Sequence, residues 1–291
     1  KLVKELSFKI KYYYNMESKE LTIVVVTFKS DEVIHSCLQS IPRDIKVIVV
    51  ENSNRNEFKQ KIENKYPNVN CILTGANKGY SIGNNIGLEK VTTDFALILN
   101  PDTTLERDTI NNFFDFAKQM PNFTLIGPSN NQSINEDFSS DYLQVKDLKG
   151  FAIFLNLKRV EKKIFDENFF LYFEEIDLCK RVIDKGGKIF LGKNLKINHE
   201  SAKSVETKKN IELEKNRNWH WMWSSFYFYK KHRGFFLALI IIFPKLVSSF
   251  FKSIIFTLIF NKEKRDIYFC RLSGILNSII GKKSWFRPSL D

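Results

Sequence analysis

The chain has few cysteines, and their spacing is unlike that of a metal site. Its 291 residues include four, Cys37, Cys71, Cys179 and Cys270, with no CxxC pair. Zinc sites and disulfide frameworks place cysteines in closer and more regular patterns. The sequence therefore favours reduced thiols in a cytoplasm.

Several signals that would assign a protein class at once are also missing. Neither a GxGxxG fingerprint nor a P-loop occurs, and no segment repeats. Residues 1–15 have no sustained apolar run of the secretory type, so no signal peptide is expected. Met16 could be the true start, with residues 1–15 an upstream extension.

Positive charge is scarce in the first two thirds of the chain and abundant in the last third. Residues 1–202 hold 28 Lys+Arg and 27 Asp+Glu, whereas residues 203–291 hold 17 and 6, a net +11 of the total +12. These cations are interleaved with Phe and Ile runs and accompany no nucleic-acid motif. The pattern favours an anionic membrane surface over nucleic acid as the partner.

Short apolar segments alternate with helical patterns over the first hundred residues. Continuous runs rich in β-branched residues predict strands buried on both faces, which are typical of parallel sheets. The predicted strands are 21–28, 45–50, 69–73 and 95–99, and the helices between them are 31–40, 57–65 and 81–89. The order predicts an α/β fold with a mostly parallel sheet flanked by helices. Ligands of such sheets bind at the carboxyl ends of the strands.

Beyond residue 100 the pattern is less regular. We expect a helix at 109–118, loops with short strands over 121–147, and a strand at 150–157. A helix at 174–185 and short strands at 188–191 and 195–198 complete the prediction.

One carboxylate directly follows a predicted strand. The segment Asn100-Pro-Asp102 comes after the strand at 95–99, and a carboxylate there could hold a divalent cation, which prefers oxygen ligands. The alternative is that Asp102 caps the next helix.

A second acidic group begins the helix at 174–185. Glu174, Glu175 and Asp177 follow the aromatic run 169–173. The helix macrodipole favours acidic residues in a first turn, but aromatic walls would also raise a carboxyl pKa toward that of a general base.

Two further features are weak when taken alone. His199 follows a short strand and could be structural. In the segment 77–85 (NKGYSIGNN), Gly79 precedes the predicted helix and Gly83 lies in its first turn. The backbone at such a helix start can approach a phosphate.

Six segments in order together resemble family-2 glycosyltransferases of the GT-A fold, and most closely their rhamnosyltransferase-like branch. They cover residues 21–204 and continue loosely into the next helix. The segments are VVVTF at 24–28, VIVVENS at 47–53, NKGYSIGNN at 77–85, LILNPD at 97–102, FDENFFLYFEEIDLCKRV at 165–182, and the His199 segment.

The resemblance implies where a nucleotide-sugar would bind. Thr27 matches the strand end that meets the nucleotide, and Glu51 matches an acidic residue that contacts the base. Asn77 and Gly79 match the lining of the nucleotide-sugar pocket.

The resemblance also implies a divalent cation, Mg²⁺ or Mn²⁺. Asp102 matches the last position of the family's DXD-type metal motif, and Asn100 replaces the motif's first Asp. His199 matches a position that helps to hold the metal and the diphosphate.

The catalytic base is implied by the family's acidic pair. Its second member is Glu175 here instead of Asp, which lengthens the side chain by one methylene. Glu174 or Asp177 could instead be the base. A base would take a proton from the acceptor hydroxyl, and a single displacement would invert the anomeric configuration.

The C-terminal region is aromatic and basic. We predict an in-plane amphipathic helix from Lys245, with Lys245, Ser248, Ser249, Lys252 and Ser253 on its wet face and Pro244 and Lys245 interrupting the preceding apolar run. The alternatives are one membrane span over 235–260, in which two lysines would be unfavourable, and a helical pair packed on the catalytic domain.

Together, these patterns and the resemblance predict three regions and a function. Residues 1–20 form an extension, 21–205 a GT-A catalytic domain, and 206–291 a helical, membrane-associated region. The donor would be a dTDP- or UDP-sugar, with dTDP-rhamnose suggested by the branch, and the acceptor a glycan or lipid-linked sugar in cell-surface polysaccharide synthesis. The protein would lie at the cytoplasmic face of the cell membrane, peripheral or monotopic. The alternatives are an inactive GT-A-fold scaffold and a basic nucleic-acid-binding protein.

Overall fold

The computed structural model describes residues 20–129, 141–199 and 211–287. The predicted extension 1–20 lies outside these residues except for Glu20, and so do Met16 and the predicted boundary at 205. Contacts divide the described chain into two compact units. The first comprises 20–78, 82–129, 141–165 and 178–199, and the second comprises Gly79–Ser81, Asp166–Asp177 and 211–287.

The first unit is built on a sheet whose first half is parallel. Strands β1 (Leu21–Thr27), β2 (Lys46–Glu51), β3 (Val69–Leu73) and β4 (Phe95–Leu99) lie in the order β3-β2-β1-β4. Every residue of β1 is buried, as the uninterrupted apolar run predicts. Helices α1 (Ile34–Ser40), α2 (Asn56–Lys65) and α3 (Tyr80–Leu88) connect these strands. The prediction of an alternating α/β fold is confirmed.

The second half of the sheet is mixed. Strand β8 (Ala152–Asn156) pairs antiparallel with both β4 and β6 (Leu125–Pro128), while β9 (Ile189–Gly192) pairs parallel with β6 and antiparallel with β7 (Tyr142–Gln144). The β3-β2-β1-β4 half is thus parallel throughout, as expected, whereas the other half combines the parallel β6–β9 pair with antiparallel pairs. Residues 130–140 of the predicted loop region lie outside the described residues.

A small separate two-stranded ribbon contains the predicted site residue His199 and begins directly after a second one, Asp102. Strand β5 (Thr103–Leu105) follows Asp102 directly and pairs antiparallel with β10 (Ile197–His199), so that Thr103 lies opposite His199. Helix α4 (Thr109–Gln119) follows and buries Phe113, whose ring stacks 4.7 Å from that of Phe154 on β8.

Helix α5 (Glu174–Asp184) starts in the second unit and ends in the first. The rest of the second unit is a bundle of α6 (Ile211–Arg233), α7 (Phe235–Leu258) and α8 (Lys262–Ile279). Its apolar centre includes Met222, Phe226 and Ile275. Gly274 permits close packing of α8 on α6, because a Cβ there would lie 2.4 Å from the carbonyl oxygen of Trp219.

The predicted wet face of α7 is wrong at Ser249 and Ser253, although Ser248 and Lys252 are exposed as predicted. The helix runs unbroken through Pro244, where proline removes one backbone hydrogen bond. Ser249 and Ser253 are buried, and Lys245 is half-buried, donating to the hydroxyl of Ser225 at 3.4 Å. Small side chains face inward because they allow close helix packing.

The outer face of α7 is apolar. Its large exposed apolar side chains are Phe235, Phe236, Leu237, Ile240, Phe243, Phe250, Phe251, Ile254, Ile255 and Leu258. By length and composition alone, α7 could cross a bilayer. Contiguous apolar surface of this kind usually marks a site of contact with a partner or a membrane.

Candidate functional site

The carboxyl ends of β1 and β2 are joined by side chains. Thr27 lies opposite Glu51 in the parallel register, and its hydroxyl donates to Glu51 Oε2 at 2.5 Å. Ser53 and Arg55 donate to Glu51 Oε1 at 2.6 and 3.1 Å. Both oxygens of the buried Glu51 carboxylate therefore already accept hydrogen bonds. The structure brings Thr27 and Glu51 together, and the base contact of Glu51 stays a prediction.

Asn52 organises the loop that leads to Asn77, a role the sequence reasoning missed. Its amide nitrogen donates to Asn77 Oδ1 at 3.2 Å, and its Oδ1 accepts from the backbone N–H of Lys78 at 2.9 Å. The position of Asn52, one residue after the end of a buried strand, is the signal that could have indicated it.

Asp102 lies at the carboxyl end of β4, in a turn that leads into β5 and not into a helix. The helix-cap alternative is therefore wrong. Neither carboxylate oxygen of Asp102 accepts a hydrogen bond from the described residues, although the residue is only 5% exposed. The β5–β10 ribbon places Nε2 of His199 at 3.4 Å from Asp102 Oδ1. The His199 ring stacks on Phe151 with centroids 4.6 Å apart.

This pair fits a divalent cation. A buried carboxylate without hydrogen-bond donors is unfavourable unless a charge compensates it. Among the described residues no group of three His, Cys, Asp or Glu converges on one point. Mg²⁺ is commonly held by one or two protein groups together with substrate phosphates and water. Asp102 and His199 would therefore supply part of a coordination shell that a diphosphate completes. Asn100, in the same turn, accepts from the Thr103 hydroxyl through its backbone carbonyl at 2.7 Å.

The two glycines of NKGYSIGNN have different roles. Gly79 has φ +90, and a Cβ there would lie 2.5 Å from the backbone oxygen of Phe170. Gly83 lies within α3, where a Cβ would lie 2.8 Å from a methyl of Val26. Gly83 therefore serves helix-to-sheet packing, which corrects its interpretation as a phosphate approach. The side-chain amide of Asn85, in the same segment, donates to the Phe165 carbonyl at 2.9 Å and accepts from the Phe165 N–H at 3.0 Å.

The acidic group at the start of α5 follows unusual backbone. Tyr172 and Phe173 both have left-handed φ values, 69 and 70, which are rare for bulky residues and concentrate at functional sites. The aromatic residues before the group pack on α6: the Phe170 ring lies 4.5 Å from that of His220, and Phe173 lies 5.2 Å from Trp221.

The three carboxylates have different surroundings. Glu174 is 5% exposed, whereas Glu175 is half-buried. Burial, and then the charge of Glu175, raise the pKa of Glu174 well above its usual 4.5. Glu174 therefore holds a proton under conditions in which an exposed glutamate has lost it.

The Asp177 carboxylate is held by Lys231 and His232. Its Oδ1 lies 2.7 Å from Lys231 Nζ and 2.8 Å from His232 Nε2, and its side chain is fully buried. Lys231 also reaches Asp166 at 2.7 Å. The sequence reasoning missed Lys231 and His232, because a cation more than fifty residues away gives no local signal. This arrangement favours a structural role for Asp177 over its role as the base.

The raised pKa of Glu174 predicts a pH-dependent stability. As the pH rises above 4.5, the unfolded carboxyl loses its proton while the folded one keeps it, so stability falls toward the folded pKa. Glu174→Gln removes this titration. We expect the variant to gain stability over the wild type progressively with pH. Urea unfolding at acidic, neutral and mildly alkaline pH measures the difference, and a pH-independent difference would contradict the assignment.

Comparison with known proteins identifies relatives of the first unit and of the start of α5. The model of the family "Glycosyl transferase family 2" matches residues 22–177. The low-salt glycan biosynthesis hexosyltransferase Agl10 of Haloferax volcanii is 29% identical over 191 residues, covering 56% of this chain and 61% of that protein. The N-acetylglucosaminyl-diphospho-decaprenol L-rhamnosyltransferase of Mycobacterium tuberculosis is 25% identical over 123 residues, covering 37% of this chain and 40% of that protein.

A solved structure extends the likeness in fold to nearly the whole chain. The mannosyltransferase PcManGT from Pyrobaculum calidifontis, in complex with GDP-Man and Mn²⁺, superposes with a TM-score of 0.58 at 12% identity. The match covers 97% of this chain and 98% of that one. At this identity it supports the fold alone, and it agrees with the predicted GT-A architecture. The family match spans more than half of the chain and includes the strand ends and the acidic group described above. The chain therefore belongs to glycosyl transferase family 2.

Proposed function

We propose that this protein is an inverting glycosyltransferase, which moves a sugar from a nucleotide diphosphate sugar to a hydroxyl of a glycan or lipid-linked acceptor. The observation that carries the proposal is the buried Asp102 carboxylate, which accepts no hydrogen bond from the described residues and has His199 beside it. Such a group favours binding of a cation that also contacts phosphate.

In the proposed site, Asp102 and His199 would hold Mg²⁺ or Mn²⁺. Asn100 lies in the same turn as Asp102 and would line the nucleotide-sugar side of the site. A divalent cation supplies neutralisation of the charge that develops on a leaving diphosphate. Thr27, Glu51, Asn77 and Gly79 contribute to the nucleotide-sugar pocket.

Glu175 is the proposed general base, since it is the half-exposed member of the acidic group. It accepts the proton of the acceptor hydroxyl as that oxygen attacks the anomeric carbon. One displacement inverts the configuration, and it needs no carboxylate nucleophile of the kind found in retaining glycosidases.

The proposed donor is a dTDP- or UDP-sugar, with dTDP-rhamnose first because one relative is named a rhamnosyltransferase. A thermal-shift screen of nucleotide-sugars with and without Mn²⁺ or Mg²⁺ tests this, since a ligand raises the melting temperature by mass action. We expect at least one donor to stabilise the protein only when the cation is present. No stabilisation by any donor would refute the proposed function.

We further propose that α7 lies on the cytoplasmic face of the cell membrane, with its outer apolar face among the lipids. Burial of apolar side chains and attraction of cations to anionic lipid together drive such interfacial binding. The surplus of basic residues in 203–291 provides the second contribution.

Sedimentation with vesicles tests this proposed membrane binding by α7. We expect more protein to bind anionic than neutral vesicles, and high salt to release part of it. The double variant Phe243→Ser, Phe251→Ser should weaken binding about tenfold or more, because burying each apolar side chain contributes roughly 1.5–3 kcal/mol. The control Met120→Ser, Ile183→Ser changes exposed apolar residues of the first unit. An equal loss of vesicle binding in both variants would contradict membrane binding through α7.

A further inference from the structure

Two cations of the helical bundle, Lys252 and Arg271, lie against the side chain of Tyr268, and a third, Lys245, lies near Arg271. Lys252 Nζ lies 3.4 Å from the Tyr268 hydroxyl and 5.2 Å from the centre of its ring. The guanidinium carbon of Arg271 lies 5.7 Å from the same ring centre. Lys245 lies seven residues before Lys252 and is therefore on the same side of α7. The charge of Arg271 acts on Lys245. We call Lys245, Lys252, Tyr268 and Arg271 the cation cluster.

No carboxylate compensates these charges within the part of the chain that the structure describes. The acidic side chains that form ion pairs in the bundle have other partners: Glu212 pairs with Lys215, Glu214 with Arg217, and Asp266 with Lys215 and Arg265. Lys245 contacts the Ser225 hydroxyl, and Arg271 donates to the Asn218 side-chain oxygen at 2.8 Å. These neutral acceptors satisfy donors but cancel no charge.

The cluster is also partly desolvated. Nε of Arg271 is buried and has no hydrogen-bond acceptor among the described residues. Burial, followed by repulsion from Arg271, lowers the pKa of Lys245. Like charges held together away from water are unfavourable without an anion. The arrangement therefore resembles a binding site more than a solvated basic surface.

We propose that the cation cluster binds the phosphate or diphosphate group of an anion, and that the natural source is a lipid whose chain lies along the outer face of α7. Guanidinium and ammonium groups recognise phosphate oxygens through charge-assisted hydrogen bonds. The exposed apolar side chains that flank the cluster on α7, including Phe251 and Ile255, suit an acyl or isoprenoid chain. The inference rests on the proposed function in taking such a lipid as the carrier of the acceptor sugar.

The test measures binding of the full chain to vesicles, without a measurement of activity. Three vesicle types are compared: phosphatidylcholine alone, phosphatidylcholine with a small fraction of geranylgeranyl diphosphate, and phosphatidylcholine with phosphatidylglycerol at the same surface charge. Inorganic pyrophosphate in solution is titrated separately. The wild type should prefer the diphosphate vesicles over the phosphatidylglycerol vesicles.

The test variant is Lys245→Gln, Arg271→Gln. Its control, Lys262→Gln, Lys283→Gln, removes the same charge from exposed positions of the same region. The test variant should lose about 30-fold in affinity for diphosphate vesicles, as expected for two basic residues near a membrane surface, and the control at most about threefold. The charge-preserving variant Lys245→Arg, Arg271→Lys should retain most of the binding.

Each outcome decides the proposal. Selective loss on vesicles alone supports a lipid-borne phosphate, and loss of pyrophosphate binding as well supports recognition of the phosphate group from either source. Equal losses in the test and control variants, or no preference of the wild type for diphosphate vesicles, would overturn the cluster as a site. If the charge-preserving variant bound diphosphate vesicles as weakly as the Gln variant, the loss would be due to packing and not to charge. That result would also overturn the proposal. The donor screen is independent, so its failure would refute the proposed function without deciding this question.

Discussion

Asp102→Asn is expected to lower sugar transfer at least about 10³-fold, because a cation supplies several kcal/mol of charge stabilisation and each 1.4 kcal/mol changes the rate tenfold. The fold should survive. The wild-type carboxylate is buried without hydrogen-bond donors from the described residues, so the neutral amide should leave the melting temperature unchanged or raise it. Initial rates with a donor from the thermal-shift screen, together with circular dichroism and a melting curve, measure both effects.

A matched control lies six residues further on. Asp108 is an exposed aspartate with a left-handed backbone, φ 67, a conformation that asparagine also tolerates. Asp108→Asn should therefore retain nearly full activity. Turnover of Asp102→Asn within a few-fold of the wild type, or activity indifferent to EDTA, would remove Asp102 from the cation site.

Glu175→Gln is expected to lower the transfer rate by roughly 10²–10⁴-fold, because the amide keeps the size of the side chain but cannot accept a proton. Affinity for the nucleotide-sugar should hardly change, since other residues are proposed to hold the donor. Single-turnover rates and donor titrations separate the two quantities.

The neighbouring carboxylates make this prediction specific. Glu174 has a raised pKa because of burial, and glutamine resembles its protonated form, so Glu174→Gln should remain active. Asp177→Asn should act mainly on stability, lowering it by about 1–3 kcal/mol, because it removes the buried carboxylate that pairs with Lys231 and accepts from His232. An inactive Glu174→Gln beside an active Glu175→Gln would move the base by one position.

The parts of the fold that depend on local pattern could be predicted from the sequence. Strands Val69–Leu73 and Phe95–Leu99 have the predicted bounds, because continuous apolar runs between turn residues are a signal within the strand itself. The strand-end position of Asp102 followed from the same pattern. The proximity of His199 followed only from the family resemblance, since local pattern does not show the antiparallel pairing between β5 and β10, which are nearly a hundred residues apart.

The orientation of α7 was predicted incorrectly for a related reason. A helical stripe of Lys and Ser indicates two faces, but it does not say which face meets protein. Small serines allow α7 to approach its neighbours, so Ser249 and Ser253 turn inward and the phenylalanines remain outside. The hydrophobic pattern alone does not show whether the polar face of a helix meets water or the neighbouring helices.

Dependence of donor binding on the cation and on Asp102 is the most direct measure of the central claim. A nucleotide-sugar selected by thermal shift would be titrated calorimetrically into the wild type, Asp102→Asn and Asp108→Asn, each in Mn²⁺ and in EDTA. We predict that Mn²⁺ strengthens donor binding to the wild type and to Asp108→Asn by the same factor, and that Asp102→Asn loses this gain. Equal donor affinity in Mn²⁺ and EDTA for the wild type, or an undiminished gain in Asp102→Asn, would contradict a cation-bound nucleotide-sugar at this site.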